Sequence, residues 1–155
     1  MDEAMKLKKR MVSIFKRNGR EGQYVRLFDQ LDQWQKDFLS TELPLQGDEE
    51  PVIGGVEGQE KWFLITTRTI VWQTKGSTQS IPMEQVSEAS MDFKSLSSAR
   101  AKLETQDLQI TTLDDKHYRF PIEEGPPLIG VCNVLKQIGF RNRKNADMKA
   151  SIFVG

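Results

Sequence analysis

Residues able to do chemistry are few. His117 is the only histidine and Cys132 the only cysteine. A thiol and an imidazole can form a nucleophile pair, the imidazole taking the proton as the thiolate attacks. The surrounding pattern separates these two. His117 falls at an outward point of an alternating hairpin, and Cys132 lies on the apolar face of a helix, where a thiol serves as a small core residue. One histidine and one cysteine also fall short of the ligand cluster that zinc requires. The acids Asp48, Glu49 and Glu50, and the pair Asp114 and Asp115, lack the alternate-oxygen spacing of a calcium loop and read as solvated linker and turn charges. Gly54-Gly55-Val56-Glu57-Gly58 has glycines but neither the lysine nor the helix that must follow in a phosphate-binding loop. No catalytic, cofactor or metal site is expected, and the expected class is non-enzymatic.

Cations are the remaining candidates for recognition. The chain has 155 residues, 22 Lys and Arg against 22 Asp and Glu, and no net charge. That balance hides a segregation. Residues 1–20 hold seven cations against two acids (+5), residues 21–60 two against ten (−8), residues 61–135 eight against nine (−1), and the last twenty five against one (+4). Basic ends could meet an acidic partner or membrane surface, but the plainer reading sets them against the acidic segment of the same molecule or of a neighbouring copy. Lys61, Arg68 and Lys75 are too scattered for a phosphoinositide headgroup, which needs several donors converging from the first hairpin. Nucleic-acid binding is not expected either, since no basic stripe carries interleaved aromatics.

A hydrophobic fraction of 37% with 28% charged residues fits a soluble globular chain, and 155 residues suffice for one domain with an added element. No apolar stretch approaches the roughly 20 residues that span a bilayer, and no signal core opens the chain. The expected location is the cytoplasm, in keeping with the single cysteine.

Two helices are expected at the front. Leu7, Met11, Ile14 and Phe15 share one helical face, and Asn18-Gly19 form a stop of the left-handed kind. The cations of this helix, Lys6, Lys8, Lys9, Arg10, Lys16 and Arg17, are the candidate contacts for an anionic surface. A second helix is expected from about Gly22 to Leu39, with Tyr24, Leu27, Phe28, Leu31, Trp34 and Phe38 as an apolar stripe that core or a partner must cover. Residues 41–50, with Pro44, Gly47 and the acidic run, have the composition of a linker.

Strands dominate the rest. Pro51–Glu57 reads as a strand with a bulge or bend at Gly54-Gly55, and Trp62–Thr67 with Thr69–Thr74 gives the strongest hairpin signal. Thr78–Ile81, Val86–Phe93, Leu108–Thr112 and Tyr118–Ile122 complete about seven strands with connections short enough for antiparallel neighbours. A closing helix follows from Leu128 to Ile138, stopped by Gly139, with Gly130 marking a close approach to the sheet.

Three passages, KWFLITTRTIVW (Lys61–Trp72), SIPMEQVSEAS (Ser80–Ser90) and LQITTLDDKHYRFPI (Leu108–Ile122), resemble the bacterial pleckstrin-homology-like domains. The resemblance covers about ninety residues. It implies an α+β, PH-like fold: a curved antiparallel sheet or partly open barrel of about seven strands, capped by a C-terminal helix. It further implies a non-enzymatic binding module that often self-associates. The expected division is an N-terminal helical extension and linker (1–46), a PH-like domain (47–140) and a basic tail (141–155). The expected function is protein binding and self-association through the Tyr24–Phe38 stripe, without cofactor; the alternative is a peripheral membrane adaptor held by the basic first helix.

Overall fold

The structure, a computed structural model, describes residues 2–91 and 105–154. Helix α1 spans Glu3–Asn18 and starts at Asp2, whose carboxylate accepts the Met5 N–H at 2.8 Å. That cap satisfies one of the free donors of a helix start. Its apolar face buries Met11, Ile14 and Phe15, as the spacing predicts. Its stop is of a different kind from the one expected. Gly19 is extended (φ −148°, ψ −164°), and glycine is required there because a Cβ would lie 2.6 Å from the Cα of Gly130 in the last helix.

The expected second helix from Gly22 to Leu39 is not formed as one element. A short strand β1 (Val25–Leu27) is followed by a single 3-10 turn (Phe28–Gln30) and then by helix α2 (Gln33–Glu42). The physical reason is local alternation. Val25 and Leu27 are buried with Arg26 turned outward between them, a two-residue period that lets this segment pair with the next strand. α2 begins where the Gln35 side chain accepts the Asp32 N–H at 3.0 Å.

Strands β2 (Pro51–Gly58), β3 (Lys61–Thr66), β4 (Thr69–Thr74) and β5 (Ser77–Pro82) continue the first sheet, in the order β1-β2-β3-β4-β5. Strands β6 (Val86–Met91), β7 (Thr105–Thr112) and β8 (His117–Glu123) form a second sheet in that order. All pairings are antiparallel, and among the described residues none joins the two sheets, so no barrel closes. Phe93, the expected end of the strand that starts at Val86, lies outside the described residues. The register shifts in β2 flank the expected bulge at Gly54-Gly55, whose pairing is regular. Those glycines serve close packing instead, since a Cβ at 55 would come within 2.7 Å of the Phe63 ring and one at 54 within 3.0 Å of the Leu39 side chain.

The apolar run of β3 is buried on both faces because the first sheet is covered on both sides. Phe63, Ile65, Ile70 and Trp72 face a core shared with the second sheet, where Phe120 stacks on Trp72 at 4.6 Å. Trp62, Leu64 and Val71 face the other way, toward Phe28, Leu31 and Leu39.

Helix α3 (Pro126–Val154) closes the larger core through Leu128, Val131, Cys132, Val134, Leu135 and Ile138. Gly139 does not stop it. The helix passes so close to β6 there that a Cβ would lie 2.6 Å from the carbonyl carbon of Ser87. Gly130 marks a close approach too, but to α1 rather than to the sheet, with Phe15 Cδ2 2.7 Å from where its Cβ would stand. Met11, Ile14 and Phe15 belong to the same core as the strands and α3, so α1 packs in cis; the basic residues from 141 onward continue α3.

Candidate functional site

The apolar stripe expected on one helix is divided among three elements. Leu27, Phe28 and Leu31 are buried, and Tyr24 is half-buried before β1. Trp34 and Phe38 alone remain at the surface of α2. Trp34 is 60% exposed, the half-buried Phe38 meets Trp62 edge-on at 6.3 Å, and both line a shallow depression with Asp37, Thr41, Glu42 and Val56. An indole this exposed beside a second ring and two carboxylates can take an apolar side chain flanked by a cation, a common protein-recognition pairing.

The candidate cations of α1 also divide. Lys8 is drawn inward to Asp29 at 3.4 Å and Glu50 at 3.7 Å, which ties the basic helix to the acidic segment of its own chain. Lys6 pairs with Glu3 at 3.6 Å. Lys9, Lys16 and Arg17 are exposed and, with Val12 and Ser13, line a shallow strip that contains no acid. Arg10 does not line that strip; with Arg141 of α3 it lines a separate groove of about 310 Å³. Met11, Ile14 and Phe15 are committed to the core and Leu7 and Val12 lie half-buried against it, so α1 offers a surface its cations and little apolar area.

The three hairpin cations do not converge. Lys61 stands opposite Thr74, one residue from Lys75, at one end of the β3–β4 hairpin, whereas Arg68 lies in the turn at the other. Arg68 pairs with Asp48, and Lys61 with Glu57 at 3.2 Å.

His117 and Cys132 are placed as the sequence reading expects. The imidazole is exposed beside Asp115 at 3.7 Å and Thr111 at 3.2 Å, while Cys132 is buried in the α3 core. Burial pushes the Cys132 thiol up, away from the reactive thiolate. The Asp114 carboxyl is held below its ordinary value, first by the Thr112 hydroxyl and then by Lys116 nearby.

Two polar anchors have no counterpart in the sequence reading. The acidic run at Asp48–Glu50 is not a solvated linker: Glu49 is buried and accepts from the Thr66 hydroxyl and, at 3.1 Å, from that of Thr69. Glu123, at the end of β8, accepts the backbone N–H groups of Gln23, Tyr24 and Val25 at 2.7, 2.8 and 3.0 Å. Glu49 also accepts the Gln46 N–H at 3.0 Å, so both carboxylates hold backbone in place. Among the described residues no group of three or more His, Cys, Asp or Glu is placed to hold a metal, and no helix is long and apolar enough to cross a membrane.

Comparison of the chain with protein-family models, with curated proteins and with solved structures finds no match.

Proposed function

We propose that this chain is a PH-like, non-enzymatic protein-binding module that self-associates. The strand order supports the fold reading: seven strands, β2 to β8, run as two antiparallel meanders and are followed directly by the helix that covers them. The observation that carries the function is the ledge formed by Trp34 and Phe38. Helix α2 buries only Gln35 and Leu39, and the large apolar Trp34 stands 60% exposed on its outer face beside Phe38, a contact residue in wait of a partner. Light scattering of the full chain beside Trp34→Ala tests this reading, with self-association expected in the parent; a monomeric parent, unaltered by the substitution, would remove self-association from it.

A second reading, a peripheral contact with anionic membrane, is favoured by the acid-free strip of Lys9, Lys16 and Arg17. Without an inserting apolar face, three exposed cations contribute roughly 1 kcal/mol each near an anionic surface and lose it within a Debye length of about 8 Å at physiological salt. Co-sedimentation with phosphatidylserine vesicles that vanishes in the triple Ala variant supports it. No binding at low salt overturns it.

A further inference from the structure

We propose that two copies of this chain join through the free edge of β5, pairing Ser77–Pro82 antiparallel with its own copy about a twofold axis. The inference rests on the self-association reading above and assigns it a surface separate from the Trp34 ledge. β5 is the last strand of the five-stranded sheet, and among the described residues nothing pairs with its outer side.

Natural edge strands are protected by charge, bulges, internal proline or a covering element. Among the described residues this one has none of these along Ser77–Ile81. Its six pairs with β4 run without a register shift, the residues are uncharged, 77–80 are exposed in succession, and proline enters only at position 82.

Turn geometry tells which groups point outward. Lys75 and Gly76 both have positive φ, 47° and 77°, the signature of a two-residue type I′ hairpin, in which the flanking Thr74 and Ser77 exchange hydrogen bonds. By alternation Gln79 and Ile81 also bond inward to β4, leaving the N–H and C=O of Thr78 and Ser80 facing out. Two such edges meeting about a twofold axis set Thr78 against Ser80 of the other copy and place Gln79 opposite itself. A strand that is neutral throughout can meet its own copy without like-charge repulsion, which favours a second copy as the occupant over a charged peptide.

The test is analytical ultracentrifugation of the full chain over a concentration series. The parent is expected to dimerise. Ser80→Pro removes an outward N–H while sparing the β4 ladder, and should weaken the dimer by about tenfold or more with little change in melting. Gln79→Lys and Gln79→Glu each set like charges face to face and should each weaken it about two- to fivefold, whereas their equimolar mixture should recover parent affinity as a mixed dimer. These two exposed substitutions keep the test decisive if the proline variant fails to fold. A dimer untouched by every β5 variant but dissolved by Trp34→Ala would overturn edge pairing and leave self-association standing. A parent monomeric throughout would overturn both.

Discussion

The ring of Phe15 in α1 lies over the backbone of Gly130 in α3, so closely that a Cβ at 130 would stand 2.7 Å from Phe15 Cδ2 and 3.3 Å from the Cα of Gly19. One glycine just after α1 and one within α3 bring the two backbones together and let a phenylalanine fill the seam.

Gly130→Ala should therefore destabilise the fold even though alanine is the better helix former by roughly 1 kcal/mol. Phe15 is 1% exposed and has little room to retreat, so overpacking of about 1–3 kcal/mol outweighs the propensity gain. Urea melts of the variant and parent measure the difference. A gain in stability would show that the seam relaxes.

Glu123→Ala should detach the segment before β1. Three backbone donors lose an ionised acceptor, and charge-assisted hydrogen bonds contribute roughly 1.5–3 kcal/mol each at most, less where water can replace them. A net loss of about 2–3 kcal/mol is expected, with faster amide exchange at Gln23, Tyr24 and Val25 than elsewhere. Unchanged exchange at those three amides would deny Glu123 this role.

These anchors show what a one-dimensional reading reaches. The hairpin at Trp62–Thr74 was legible because dense β-branched and aromatic residues on either side of a turn admit little else, and the front and rear helices because their apolar faces repeat at helical spacing. The segment from Gly22 to Leu39 misled because Leu27, Phe28, Leu31, Trp34 and Phe38 fall at helical spacing although a strand, a turn and a helix supply them. What decides the matter is Glu123, a hundred residues from Gln23, together with the exposed edge of β2 that β1 completes. Gly139 misled in the opposite way. Its missing side chain answers to Ser87 on β6, a neighbour that no local pattern reveals.

Cys132 should make stability fall at alkaline pH. Burial raises the folded thiol above the unfolded value of about 8.5, so the folded state holds the proton longer; the associated stability is complete below the unfolded value and is lost as pH rises through the folded one. Thermal melts of the parent between neutral and alkaline pH should fall more steeply than those of Cys132→Ala, and a thiol reagent should label the native chain only as it unfolds. Rapid labelling of folded protein would contradict the burial.

Asp114 acts at the other end of the scale. Its lowered carboxyl favours the folded state above the ordinary value of about 3.9, and that contribution is lost as pH falls through the folded value. The melts of Asp114→Asn and the parent should differ near neutrality and converge in acid. Equal gaps at both pH values would mean that the charge of Asp114 contributes nothing.

Removal of residues 1–46 should unfold the remainder rather than release a folded strand domain. Met11, Ile14 and Phe15 are each 2% exposed or less within the same core as Leu135 and the strands, and β1 supplies an edge of the first sheet. Losing three fully buried large side chains forfeits about 1.5–3 kcal/mol for each, which together approaches the whole stability of an ordinary domain. Leu135→Ala, a single vacancy in that core, should cost about 2–5 kcal/mol and leave a folded chain. Circular dichroism and melting of residues 47–155 beside the full chain and the Leu135 variant separate the two degrees of damage. A truncated chain that melts cooperatively near the parent would show the strands and α3 to be self-sufficient, and α1 a covering that the core can do without.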